Sequence, residues 1–176
     1  MVHRIAVPAL ALVPALSLAL AGAVAAQDLS AEFIGNEGAA VGTVSVTEGP
    51  NGLILQVAAN EGALAPGWHG LHIHENADCS DHEAFQAAGG HLNPGDVEHG
   101  FLNPNGPHPS DLPNLFAHAD GSAQAEFFVP AVTLSSGETA LLEEGGAAMM
   151  IHAGPDDYMT DPSGDSGDRV ACAVLE

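Results

Sequence analysis

The stretch Trp68-His69-Gly70-Leu71-His72-Ile73-His74-Glu75 sets the organisation of this 176-residue chain. Side chains two residues apart on a β-strand leave the same face, with Cβ atoms about 7 Å apart, so His72 and His74 can both reach one ion. A single His-x-His pair is also compatible with two surface histidines. The residues that follow the pair distinguish these two interpretations.

The composition favours an all-β domain. The chain has 46% hydrophobic residues with 21 Gly, 12 Pro and few aromatic residues, which is typical of one core built from short strands and many turns. The predicted fold is an eight-stranded antiparallel Greek-key β-barrel or sandwich with two long functional loops. Apolar runs between turn residues place the strands at 31–34, 41–47, 52–59, 68–75, 115–119, 123–129, 147–152 and 169–175.

The two long loops are residues 76–113 and 153–168, both rich in Gly, Pro and Asp. A connection as long as the first inside a compact domain is usually functional or disordered. The histidines in the first loop favour a function.

The N-terminus predicts a secretory signal peptide at residues 1–26, with one cation, an apolar run at 5–21 and small residues at 23–26. Cleavage after Ala26, or one residue earlier, leaves a single domain at 27–176. An uncleaved anchor is the alternative, because the run is nearly long enough to span a bilayer, but two prolines and the small-residue tail favour cleavage. The signal fits a secreted protein of the periplasm or the extracellular space, and the periplasm is favoured.

The charge excludes two classes of partner. The chain has 23 acidic residues and 2 basic ones. Loss of the signal peptide removes Arg4, so the mature net charge is −22 and Arg169 is the only remaining Lys or Arg. Such a surface repels nucleic acid and anionic lipid, so neither nucleic acid nor a membrane is expected as a partner of the mature protein.

The two cysteines, Cys79 and Cys172, favour a disulfide over free thiols in an exported chain. The bond would pin the segment after the His-x-His strand to the last strand. The chain-entropy estimate for so long a loop is about 4–5 kcal/mol of stabilisation.

Ligand counting suggests a bridged pair of metal ions. Two four-coordinate ions need eight ligand bonds from seven side chains, so one imidazole would bind both ions. Imidazoles with one carboxylate in a closely spaced loop suit zinc, whereas an all-imidazole set on strand ends suits copper. The seven candidates are His72, His74, His91, His99, His108, Asp111 and His152.

Several motifs together resemble the Cu,Zn superoxide dismutase family, over nearly the whole mature chain. The resemblance implies that His72, His74, His91 and His152 bind one copper ion. It implies that His91, His99, His108 and Asp111 bind one zinc ion. The motifs are Gly70-Leu71-His72-Ile73-His74-Glu75, Gly90-His91-Leu92-Asn93-Pro94, His99-Gly100, His108-Pro109-Ser110-Asp111-Leu112, His152 and Arg169-Val170-Ala171-Cys172.

The resemblance also implies the reaction, which is dismutation of superoxide to oxygen and hydrogen peroxide by a copper that cycles between Cu(II) and Cu(I). Two catalytic residues follow: Arg169 would dock the superoxide anion, and His91 would bridge the ions and carry a proton to the product. Asp156 would hydrogen-bond one copper histidine and one zinc histidine and orient their rings. Members of this family occur as monomers and homodimers, and either is expected here.

Three further histidines have no predicted metal role. His69 matches a structural position that hydrogen-bonds the backbone. His82 and His118 match no ligand position and are predicted to be exposed, with auxiliary metal capture as the alternative.

The second loop departs from the family, whose members commonly carry lysines there. Residues 156–168 contain five aspartates and no lysine, so we expect little electrostatic steering of an anionic substrate. Two other functions are alternatives to a dismutase. A metal carrier on the same fold would need neither Asp156 nor Arg169, and a structural domain with incidental histidines would not bind two metals.

Overall fold

Eight strands and one short 3-10 helix make up the regular structure in the part of the chain that the computed structural model describes, which is Met1 and residues 28–143 and 145–176. Within that part, no helix has the length and apolar character needed to cross a membrane. Apart from Met1, the predicted signal peptide lies outside the described residues and stays a prediction. The elements are β1 (Asp28–Gly35), β2 (Ala40–Gly49), β3 (Gly52–Ala59), β4 (Gly67–His74), the 3-10 helix (Gln86–Ala88), β5 (Asp111–Ala117), β6 (Ala123–Val129), β7 (Ala147–His152) and β8 (Arg169–Leu175).

The strands form one antiparallel sheet in the order β5-β4-β7-β8-β1-β2-β3-β6. Pairing of β4 with β7 and of β3 with β6 requires chain crossovers of the Greek-key kind. Strands β5 and β6, at the two ends of this order, contact each other, so the sheet curls into a nearly closed barrel. The predicted all-β fold class is confirmed.

Burial along the strands places the candidate site on the outer side of the barrel wall. In β3, Leu53 and Leu55 are buried and Gln56 is exposed, which is the alternation of a strand with one solvent-exposed face. In β4, Leu71 and Ile73 belong to the apolar core. Side chains alternate, so His72 and His74 point away from that core, yet they too are buried. The long loops cover this face, and the candidate site lies between wall and loops.

The observed bounds of β5 differ from two sequence predictions, which concern the strand itself and the length of the first long loop. It covers 111–117 rather than 115–119, so the first long loop is shorter than predicted and Asp111 lies in a strand, paired with His72. Pro113 cannot donate a ladder hydrogen bond, but β5 is an edge strand, where proline is tolerated. The 3-10 helix inside the first loop was also not predicted.

The disulfide between Cys79 and Cys172 is present, with Cα atoms 5.8 Å apart. It joins the first long loop to β8, as the sequence predicted. The bond therefore links the loop that carries several candidate ligands to the strand that begins at Arg169.

Candidate metal centre

Four histidines from three parts of the chain converge on one point. His72 and His74 come from β4 and His152 ends the adjacent strand β7. His91 comes from the first long loop, which backbone hydrogen bonds from Glu75 to Gly90 and from Leu92 to Ile73 hold against β4. One ring nitrogen of each histidine lies within 4.8 Å of the others. We call these residues the four-histidine group.

The ring nitrogens of this group are arranged as metal ligands. Nδ1 of His72 and Nε2 of His74, His91 and His152 are buried and have no hydrogen-bond partner among the described residues. The opposite nitrogens face acceptors, such as the Gly89 carbonyl, 3.0 Å from His74 Nδ1. That carbonyl can only accept, so the proton sits on Nδ1 and the lone pair of Nε2 points inward. Leaving a buried polar atom unpaired costs about 1–3 kcal/mol, and one ion would satisfy all four. An all-imidazole set suits copper.

A second group combines three histidines with one carboxylate. The Oδ1 atom of Asp111 lies 3.2 Å from His91 Nδ1, 2.9 Å from His99 Nδ1 and 3.2 Å from His108 Nδ1. Ligands about 2.0–2.1 Å from a tetrahedral zinc are about 3.3 Å apart, so the spacing fits that ion. The other oxygen, Oδ2, accepts hydrogen bonds from the backbone N–H groups of Gly100 and His108, which fixes the carboxylate. We call His91, His99, His108 and Asp111 the mixed group.

His72 also lies close to the mixed group, since ligand atoms of His72, His91, His99 and Asp111 fall within 4.8 Å of one another. The direction of its ring instead assigns His72 to the four-histidine group. Its Nε2 is 2.9 Å from Asp156 Oδ2, and its Nδ1 is one of the four unpaired nitrogens. The Nδ1 of His108, only 3.0 Å from His91 Nδ1, is better placed as the fourth ligand of the mixed group.

His91 is the residue shared by the two groups. Its Nε2 faces the four-histidine group, and its Nδ1 faces Asp111 and His108. An imidazole that binds ions through both nitrogens requires this arrangement. The predicted ligand positions are therefore brought together as two groups joined at one ring.

Asp156 connects the groups a second time. Its Oδ2 lies 2.9 Å from His72 Nε2 and its Oδ1 lies 3.1 Å from His99 Nε2. Gly164 packs directly on this carboxylate at φ +66°, and any Cβ there would clash with Oδ1. The neighbour Asp157 is exposed and bonds its own turn instead. The structure thus places Asp156, and not Asp157, where it can orient ligand rings.

Burial prepares the four-histidine group to bind a cation. It lowers the pKa of His91 to about 4 and that of His152 to about 3, and it lowers the pKa of His74 well below its usual value. The like charges of neighbouring histidines and, for His74 and His152, the positive charge of Arg169 act in the same direction. These imidazoles are neutral at pH 7, so their lone pairs are available to a metal.

In the mixed group, hydrogen bonds outweigh burial in setting the pKa of Asp111 and of His99. Burial alone would raise the pKa of Asp111, but hydrogen bonds from His108, His91 and His99 outweigh burial and lower it. Burial likewise opposes the charged form of His99, but hydrogen bonds to Asp111 and Asp156 raise its pKa to about 9. Without metal, His99 is therefore the charged imidazolium at pH 7, protonated on both ring nitrogens. An entering cation must displace the proton on the nitrogen that it binds.

A cavity of about 600 Å³ leads to the four-histidine group, and His91, His152 and Arg169 line it. The Arg169 guanidinium donates from one nitrogen to the Phe85 carbonyl at 2.6 Å and from the other to the Gly89 carbonyl at 2.7 Å. Four acidic residues share the cavity wall, namely Glu83, Asp96, Asp161 and Asp168. The cavity thus has one fixed cation and a largely acidic wall.

The other histidines lie where the sequence predicted. The ring nitrogens of buried His69 are 2.7 Å from the carbonyl oxygens of His152 and Ala65, a structural role. His82 and His118 are exposed and belong to neither group.

Sequence reasoning missed the residues that hold Asp156 and His99 in place. The side chain of Asn114 receives a hydrogen bond from the Asp156 backbone N–H at 2.8 Å and donates one to its carbonyl at 2.9 Å. Asp161 accepts a hydrogen bond from the backbone N–H of His99 at 2.8 Å. Both act on backbone groups more than 40 positions away in sequence, so no local pattern could have identified them.

Comparisons with known proteins agree with this geometry. The family described as copper/zinc superoxide dismutase matches residues 40–175. Copper-zinc superoxide dismutase 2 of Aquifex aeolicus is 41% identical over 163 residues, covering 90% of this chain and 94% of the relative. The copper-zinc superoxide dismutase of Caulobacter vibrioides is 43% identical over 143 residues, 80% of each chain. The crystal structure of a SOD-like protein from Bacillus subtilis has a TM-score of 0.80 at 39% identity, covering 86% of this chain and 100% of that one. This chain belongs to the copper/zinc superoxide dismutase family.

Proposed function

We propose that this protein converts two superoxide anions and two protons into one molecule of oxygen and one of hydrogen peroxide. The observation that carries the proposal is a group of four buried imidazole nitrogens that have no hydrogen-bond partner in the described part of the chain. Two of these histidines, His91 and His152, line a cavity together with Arg169. When bound, copper supplies the one-electron redox chemistry and zinc supplies a fixed positive charge.

The residues divide into two ligand sets in this proposal. His72, through Nδ1, and His74 and His152, through Nε2, would hold copper. His99 and His108, through Nδ1, and Asp111 would hold zinc. His91 takes part in both sets, because its two ring nitrogens face the two groups.

Two residues of the cavity act on the substrate and the product. Arg169 remains charged at every relevant pH and offers a superoxide anion a positive partner beside His152. His91 also lines this cavity, and a proton held on its Nε2 would lie within reach of the peroxide product. Asp156 keeps the rings of His72 and His99 in place during these steps.

The acidic cavity wall predicts an unusual salt dependence. Raising ionic strength is expected to leave kcat/KM unchanged or to increase it. Salt screens exposed charges beyond about 8 Å at physiological ionic strength, and here the screened charges are mostly repulsive to an anion. Stopped-flow dismutation assays at two salt concentrations measure the slope. A steep fall with salt would show that an attractive path exists after all.

The same assay tests the proposed reaction if copper and zinc are quantified in each sample. High activity with about one copper and one zinc per chain supports a dismutase. Negligible activity at full occupancy would instead favour a metal carrier on the same fold. Asp156 and Arg169 argue against a carrier, which has no need of oriented ligand rings or an anion-binding group.

We further propose that the protein is exported and acts in the periplasm after residues 1–26 are removed. Two features support export. The N-terminal sequence has the order of regions found in secretory signals, and the Cys79–Cys172 disulfide suits an oxidising compartment.

A further inference from the structure

Asn36 lines the cavity that contains Arg169 and joins three separate segments of the chain. It follows β1 directly, in the tight turn before β2. Its side-chain Nδ2 donates to the carbonyl oxygens of His82 at 2.7 Å, Arg169 at 3.1 Å and, more weakly, Glu83 at 3.4 Å. One amide group therefore ties the β1–β2 turn to the first long loop and to the start of β8.

These contacts complete a ring of interactions around Arg169. The Arg169 backbone carbonyl is held by Asn36, which also holds the carbonyl of His82. The guanidinium at the other end of the residue is held by the carbonyls of Phe85 and Gly89. Both the backbone and the guanidinium of Arg169 are thus linked to the same segment, residues 82–89. Asn36 provides the link to the backbone.

Segment 82–89 also touches a proposed copper ligand. The Gly89 carbonyl that accepts from Arg169 lies 3.0 Å from His74 Nδ1. The carboxylate of Asp81 fixes the far side of the segment by accepting hydrogen bonds from the backbone N–H groups of Gln86 and Ala87. A shift of the segment would therefore move the anion-binding group relative to the metal.

The turn that carries Asn36 packs closely against the first long loop. Gly38, at φ +76°, packs on the ring of His82, and a Cβ there would come within 2.9 Å of its Nδ1. An L-residue with a side chain would strain the turn and push it from the loop. The turn and the segment are thus in direct contact at Gly38 as well as at Asn36.

We propose that Asn36 is a positioning residue that fixes Arg169 against segment 82–89 and thereby sets the affinity of the cavity for small anions. This inference rests on the proposed function, because it assigns Arg169 to anion docking. Asn36 itself need not touch the substrate. Its effect should pass through Arg169 and should vanish when Arg169 is absent.

The test is an azide titration of the copper- and zinc-loaded protein, followed by visible absorption. Losing hydrogen bonds of this kind changes an equilibrium about 3- to 10-fold, so Asn36→Ala is expected to raise the azide dissociation constant by about that factor and to lower kcat/KM similarly. The Asn60→Ala variant is the matched control, because Asn60 is an exposed turn residue outside the cavity wall. Should Asn36→Ala fail to fold or to load metal, Asn36→Ser replaces it, since serine also suits turns but is too short to reach the carbonyls.

A double-mutant cycle separates positioning from a general structural role. In the Arg169→Ala background, Asn36→Ala is expected to leave azide affinity unchanged, because the residue through which it acts is gone. The same weakening in both backgrounds, or no weakening in the wild-type background, would overturn the inference. Failure of the proposed function is distinct, since it would appear as a wild-type protein that binds azide at copper but does not dismutate superoxide.

Discussion

Replacing His152 by glutamine is expected to lower dismutation activity by at least ~100-fold, because changing even an outer partner of a metal ligand typically costs 10- to 100-fold. His152 contributes one of the four buried nitrogens and lines the cavity, so its loss removes a copper ligand at the point of substrate approach. Zinc should remain at about one ion per chain, because no atom of His152 belongs to the mixed group. Metal analysis and a stopped-flow assay on one sample measure both quantities.

The matched control is His118→Gln, an exposed histidine outside both ligand groups. It should keep both metals and full activity. Equal loss of zinc and copper in His152→Gln would contradict the division into two groups. Retention of copper with normal activity would remove His152 from the ligand set.

Removing the disulfide is expected to lower the free energy of unfolding by about 4–5 kcal/mol, the chain-entropy estimate for a loop of this length. The bond joins residues 93 positions apart, so the denatured chain of the double variant Cys79→Ser/Cys172→Ser gains much conformational freedom. Both cysteines must be changed, because a single substitution would leave a reactive thiol.

Urea unfolding of the metal-free protein measures this change. Metal-free samples are required because an ion that binds only the folded chain adds its own stabilisation. A loss below about 1 kcal/mol would show that the denatured chain is already constrained near these cysteines, contrary to the entropic account. The double variant Ser30→Ala/Thr43→Ala, whose side chains are exposed on β1 and β2, controls for the number of substitutions.

Local sequence patterns predicted most of the barrel because its strands follow simple rules. The predicted bounds of β3, β6, β7 and β8 are those of the structure, since turn residues flank each apolar run. β5 was misplaced because Pro113 and the polar residues around it resemble a loop. Its strand character comes from pairing with β4, which no local pattern contains.

The candidate site likewise has a part that the sequence predicted and a part that it did not. The seven candidate ligands were identified from motifs that the sequence shares with a known family, and the structure brings these residues together. The parts that orient them are backbone carbonyls, such as those of Gly89 and Gly167, and amides such as Asn114. Backbone atoms have no sequence identity, and their contacts depend on how distant loops fold over the barrel wall. This second layer could therefore be found only in three dimensions.

Anomalous diffraction from crystals of the copper- and zinc-loaded protein, recorded at both absorption edges, tests the division of the histidines most directly. The account predicts a copper peak bounded by His72 Nδ1 and by Nε2 of His74 and His152. It predicts a zinc peak among Nδ1 of His99 and His108 and the Asp111 carboxylate, with the His91 ring between the two ions. Both metals mixed at a single position, or a zinc peak among the four-histidine group in active crystals, would contradict it.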